Sequence, residues 1–223
     1  MSQQRSNIRI CVAVFAAILG IEALWILTPE LIRPAVPFFP TQTTAPNPKA
    51  AVIAAQIGWL RGDLWADAAV ASDAEILDVL PRKTGSQMPA RFVEMRAITD
   101  TAAKDAPFDS RVWLLAAALN SRSGQIDRKA ANQLKMSFYT SPNDDRLIPL
   151  RIRLALQFNF LSDDELQYLI EQQIRTAALH KPELKPAIAA AYQDASPAGQ
   201  QFIEGKLAEI DPHFLAELRS TAH

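Results

Sequence analysis

An all-α fold is what this sequence predicts, and three observations predict it. The chain of 223 residues has only seven glycines and is rich in alanine, leucine and glutamine, a balance that suits helices better than a turn-rich β sandwich. Residues 10–27 read ICVAVFAAILGIEALWIL, apolar or small except for Glu22, which is the length of a short membrane-spanning helix. The remainder is cut into helix-length segments by cap residues and prolines. Some 49% of the residues are hydrophobic, enough for the core of one domain once the N-terminal run is set aside.

Charge and cysteine usage remove several function classes. With 23 basic against 24 acidic residues there is no large positive field for nucleic acid. Cys11 is the single cysteine, so an intrachain disulfide is impossible, and thiolate metal sites and thiol catalysis are disfavoured.

The first element is the apolar run of residues 10–27. Its end, LWIL at residues 24–27, is bulky where a signal peptidase requires small side chains, so the run reads as a retained anchor. The sequence IRIC before and at Cys11 likewise lacks the small residues of a lipoprotein signal. Arg5 and Arg9 precede the run while Glu30 and Arg33 cancel after it, which keeps residues 1–9 in the cytoplasm. Residues 28–223 are then exported, giving a single-pass inner-membrane protein with a periplasmic domain. Within the span, Ala13 with Ala17 and Ala16 with Gly20 make a stripe of small residues, so Ala16 and Gly20 are candidate helix-packing positions. Glu22 is costly in hydrocarbon unless it finds a partner or water. It is a candidate contact to another membrane subunit, the competing reading being a place near the outer interface beside Trp25.

Residues 28–48 form the second element, a proline-rich linker. Thr28 reads as an N-cap with Pro29 at the first helical position. Pro34, Pro37, Pro40, Pro46 and Pro48 then favour extended geometry and a spacer. Val36, Phe38 and Phe39 are the apolar residues of the linker, suited to lying on the membrane surface or on the folded domain.

Residues 49–223 are the helical domain. The stretch AAVIAAQIGWLRGDLWADAAVA predicts one helix, after which Ser72 and Glu75 read as a capping box for a short helix ended by Pro81. A polar loop at 82–88 leads to a helix from about Pro89 to Asp105, stopped before Pro107. Asp109 caps the next helix and Gly124 closes it; Asp127 caps another, which runs up to Pro142. LRIRLALQFNF, residues 150–160, alternates like a strand. No second strand exists to satisfy its backbone, so it reads as helix opened by Pro149. Ser162 and Glu165 form a second capping box before a helix that stops at Pro182, and Ser196-Pro197 and Asp211-Pro212 start the last two helices.

Paired short helices build a bundle or a solenoid of hairpins. The stretch DSRVWLLAAALNSRSGQIDRKAANQLKMSFYTSPND resembles a tetratricopeptide repeat, carried by Trp113, Ala116, Ala117, Gly124, Ala130 and Pro142. Ala130 and Pro142 stand about one residue late for the usual spacing, and Gly62 and Ala68 repeat the glycine-to-alanine interval. The resemblance implies degenerate helical hairpins and a scaffold that binds other envelope proteins, with cell-surface polysaccharide synthesis or export as the process. The alternative is an accessory subunit of an inner-membrane enzyme or transporter, assembled through its span.

Nothing in the spacing points to catalysis. His180, His213 and His223 form no ligand motif. Asp63, Asp67 and Asp144 are equally suited to turns and helix ends, so no catalytic residue, metal or cofactor is expected. Gly58 and Gly62, four apart, are candidates for close helix packing. The stretch MSFYTSPNDDRLIPLRIR supplies the candidate partner contacts Tyr139, Arg146, Arg151 and Arg153, residue types enriched at interfaces.

Overall fold

A computed structural model of the chain describes residues 2–36, 38, 47–78, 90–121, 128–158 and 160–221. Pro37, Phe39, Pro40, Pro46, Pro81, the loop at 82–88, Gly124, Asp127, His223 and the side chain of Glu75 lie outside the described residues.

The described residues form eleven α-helices: α1 (Ser2–Ile32), α2 (Pro48–Ile57), α3 (Gly62–Asp78), α4 (Ala90–Asp105), α5 (Ser110–Ser121), α6 (Arg128–Thr140), α7 (Ile148–Gln157), α8 (Asp164–His180), α9 (Lys185–Gln193), α10 (Pro197–Ile210) and α11 (Pro212–Thr221). Short 3-10 turns precede α7, α8 and α9, and no strand occurs among the described residues. The fold class is therefore all-α.

Several caps are the ones the sequence signals. Asp109 accepts from the Arg111 N–H at 2.9 Å, Ser196 from Gly199 at 3.1 Å and Asp211 from Phe214 at 3.0 Å, each satisfying an orphan donor of a first turn. Other expectations are corrected. Gly58 breaks the first domain helix in two: its N–H closes α2 on Ala54 O at 2.9 Å, and Arg61 N–H returns to Gly58 O at 2.7 Å. Ser72 starts no helix but lies buried inside α3, because neither proline nor glycine interrupts the chain there. Before α8, Ser162 lies in the 3-10 turn and Asp163 is the N-cap, accepting from Leu166 N–H at 3.0 Å. Thr28 caps nothing, since α1 continues through Pro29 to Ile32 and the Thr28 hydroxyl donates to Leu24 O at 2.6 Å.

α7 explains its misleading alternation. Arg151, Ile152, Leu154, Ala155 and Leu156 are all buried, so the helix is enclosed on most sides and its apolar letters need not follow one stripe.

Most chain neighbours pack on each other, and α3 with α5, α6 with α8, α7 with α9 and α8 with α10 also meet, a pattern compatible with stacked helical hairpins. α5 and α6 pack along each other, where the Asn120 amide donates to Gln133 Oε1 at 2.6 Å across buried faces. A main core runs through Leu114, Leu134, Ile152, Leu166, Ile174 and Ile203. A smaller one, Ala51, Ala55, Leu64, Ala68 and Ala71, joins α2 to α3. α1 stands apart from both: Ile8–Ile32 is 25 residues of apolar helix, none of its most apolar window buried, and it reaches the domain against α2.

Candidate functional site

The end of α1 is where sequence and tertiary structure meet. Trp25 donates its indole N–H to Ile57 O at 3.0 Å. This bond occupies one of the carbonyls left over at the C-terminus of α2. Pro29 is buried beside Gly58, where a Cβ on the glycine would stand 3.2 Å from the proline ring and 2.4 Å from Leu64 Cδ1. Gly62 admits the C-terminus of α4: a Cβ there would fall 1.9 Å from Asp105 O.

One turn further on, Arg33 forks onto Asp67 through Nε at 2.9 Å and Nη2 at 2.6 Å. Its Nη1 reaches Asp63 at 3.0 Å and Glu30 at 3.4 Å. Arg61 joins the same cluster through Glu30 at 2.5 Å and Asp63 at 2.7 Å, and Arg111 bridges Asp109 at 2.6 Å to Asp67 at 3.4 Å. Burial alone would raise the Asp63 pKa, but hydrogen bonds and charge from Arg61 and Arg33 outweigh it and hold the carboxyl below its ordinary value. Burial would lower the pKa of Arg33, and the Asp67 hydrogen bond and charge reverse the direction.

From this cluster the chain continues along the domain. Val36 packs against both cores. The Phe38 ring lies under the Arg146 guanidinium, 3.7 Å from its centroid, with Arg111 at 5.8 Å, a stacking geometry suited to arginine. Residues 28–36 and 38 thus lie on the folded domain and do not extend away from it as a spacer. Specific ion pairs and cation–π contacts have outcompeted solvated polyproline geometry.

Beside Phe38 opens a groove of about 550 Å³, lined among others by Asp63, Phe108, Asp109, Arg111 and Arg146. Phe108, at the tip of the α4–α5 turn, is 86% exposed. A second groove of about 480 Å³ runs over Val52, Ile53, Met95 and Ile98 between α2, α3 and α4.

The remaining candidate residues are dispersed. Arg146 is exposed and paired with Asp144 at 2.9 Å. Tyr139 donates to Glu165, whose carboxylate also meets Lys135 at 3.0 Å. Arg153 pairs with Asp194 at 2.8 Å. Arg151 is a correction: it is 0% exposed, donates to Ser137 Oγ at 3.1 Å and Ser141 O at 3.0 Å, and lies over the Phe138 ring. It cannot contact a partner because those carbonyls and that ring have drawn it inside, where burial lowers its pKa to about 10. Ala16 and Gly20 are exposed on α1, with nothing within 4 Å of a Cβ built on Gly20. Glu22 is also exposed; among the described residues its carboxylate shows no hydrogen bond or ion pair.

Trp25, Arg33, Phe38 and Asp67 escape a reading by motif. Their signals are slight: an arginine and a phenylalanine among prolines, and two aspartates, Asp63 and Asp67, four apart on one helix face. No group of three or more His, Cys, Asp or Glu among the described residues is placed to hold a metal. The cluster is arranged as an ion-paired junction beside an open groove with an exposed aromatic at its lip. No protein-family model, curated protein or solved structure matches the chain.

Proposed function

We propose that the protein is a single-pass membrane protein whose helical domain is clamped at the bilayer and serves as a non-catalytic scaffold for other envelope proteins. The observation that carries this reading is the contrast within α1. Its most apolar window is unburied among the described residues, while Trp25, Pro29 and Arg33 at and beyond its end are built into the domain. Helices of this length and composition also occur as signal sequences. Removal of such a signal would take away the Trp25 bond that joins α1 to α2, and this favours retention. The flanking arginines Arg5 and Arg9 favour a cytoplasmic N-terminus and a periplasmic domain in the inner membrane. The likeness of α5 and α6 to a tetratricopeptide hairpin supports protein binding, in synthesis or export of cell-surface polysaccharide.

The groove beside Phe38 is the proposed contact surface, with Phe108 as its apolar anchor and Arg111 and Arg146 as its charged rim. A photoreactive phenylalanine analogue at Phe108, activated in intact membranes, should capture a discrete envelope protein, and the same analogue at Tyr168 on α8 should not. No capture at Phe108, or the same yield at both positions, rejects the scaffold reading.

The Glu22 carboxylate, without a hydrogen bond or ion pair among the described residues, favours a second reading, an accessory subunit assembled through α1. Glu22→Leu then abolishes co-purification with a membrane enzyme or transporter. Under the scaffold reading capture at Phe108 survives both that change and replacement of residues 10–24 by an unrelated apolar helix.

A further inference from the structure

We infer that the α2–α3 turn, Gly58 to Arg61, is a membrane-inserted loop, with Trp59 and Leu60 as the side chains that enter the lipid. The inference rests on the reading of α1 as a bilayer span and adds a second point at which the protein meets the lipid.

Depth is the first argument. Twenty-five helical residues extend about 37 Å, longer than the roughly 30 Å of hydrocarbon. Counted from the middle of residues 10–27, Trp25 lies about 10 Å along the axis, inside the roughly 15 Å half-thickness of the apolar layer. The indole of Trp25 is bonded to Ile57 O at 3.0 Å. A turn that follows Ile57 directly, with Gly58 against Pro29 and Arg61 on Glu30, is therefore held between the depths of Trp25 and Glu30, about 10–17 Å from the middle, at the edge of the hydrocarbon.

Composition and backbone chemistry are the second argument, independent of depth. Trp59 and Leu60 are 61% and 65% exposed, two large apolar side chains on a tight turn, and tryptophan is enriched where bilayer meets water. A polar backbone entering that region needs its groups satisfied from within the protein. Four carbonyls of this segment are satisfied so: Ile57 O by Trp25 Nε1, Trp59 O by Trp65 Nε1 at 3.2 Å, and Gly58 O and Arg61 O by the Arg61 and Leu64 N–H groups at 2.7 and 3.2 Å. The one charge of the turn, Arg61, is pulled back onto Glu30 and Asp63, leaving the apolar pair at the front.

The test uses full-length protein, spin-labelled in detergent and reconstituted into vesicles of phosphatidylethanolamine and phosphatidylglycerol, with collision rates measured against oxygen and a water-soluble nickel chelate. The native Cys11, inside α1, is the reference for lipid. Cys11→Ser with Leu60→Cys reports the turn, and Cys11→Ser with Tyr168→Cys, on an exposed residue of α8, reports water. Leu60→Cys should share the oxygen-favoured ratio of Cys11, and Tyr168→Cys should favour nickel. If Leu60→Cys follows Tyr168→Cys while Cys11 stays in lipid, the inserted turn is wrong and the span stands. If Cys11 itself favours nickel, the span and the turn fall together. A label at Leu60→Cys that is shielded from both reagents is covered by protein, a second copy or a partner, and that also overturns lipid insertion.

Discussion

Arg33 shows how much one side chain can hold at the junction. Its guanidinium joins the end of α1 to two aspartates of α3, Asp63 and Asp67, and the Asp67 side chain is only 11% exposed. Arg33→Ala should cost about 1–3 kcal/mol, since it leaves the largely buried Asp67 carboxylate with only the longer 3.4 Å contact to Arg111, and Arg33→Lys should recover little because an ammonium cannot fork onto Asp67. Thermal unfolding in detergent checks both. Acid acts on the same cluster. The folded pKa of Asp63 lies below its ordinary value, so its contribution is fully present above about pH 4 and is lost as pH falls through the depressed value. Asp63→Asn should flatten the acid limb of the stability curve; an unchanged limb would show that Asp63 plays no part. Arg151 predicts a larger loss. Arg151→Ala removes the guanidinium hydrogen bonds to Ser137 and Ser141 and leaves a void beside Phe138, and roughly 3–5 kcal/mol should go, measured by denaturant titration.

Among the elements, the break between α2 and α3 is the informative case. A strong alanine-rich pattern runs straight across it, and propensity alone writes one helix. Gly58 and Gly62 interrupt it because other chain segments need the space: Pro29 and Leu64 at the first, the α4 C-terminus at the second. Gly62→Ala should therefore destabilise by about 1–3 kcal/mol, as an overpacked site does when backbone must shift. Gly205, inside α10 with nothing within 4 Å of a built Cβ, should behave oppositely, Gly205→Ala stabilising by about 0.5–1 kcal/mol through helix propensity. Equal effects at the two positions would contradict the packing. The Ser72–Glu75 box fails for a related reason. A capping motif starts a helix only where something ends the preceding one, and α3 meets no breaker before Asp78.

For the whole molecule the consequence of the junction is orientation. Trp25, Pro29, Arg33, Val36 and Phe38 fasten α1 and the segment after it to α2, α3 and the Arg146 side of the domain, so the domain has one face toward the end of α1. Time-resolved anisotropy of a label at Tyr168 in vesicles should show restrained motion of the whole domain, released in the double variant Trp25→Phe, Arg33→Ala; free motion of the unaltered protein would contradict a rigid junction. By itself the sequence determined what depends on neighbours along the chain: an all-α class, an apolar helix of spanning length, and helix starts such as those at Asp109, Ser196 and Asp211, since caps and prolines act within a few residues of themselves. Only the tertiary structure decided that residues 33–36 and Phe38 lie on the domain, that Arg151 is internal, and that Asp67, Trp25 and Phe38 belong to one junction. Those outcomes are set by competition between solvent and partners far along the chain, Asp67 for Arg33 and Arg146 for Phe38. An arginine among prolines reads the same whether it faces water or a carboxylate, until the fold brings the carboxylate to it.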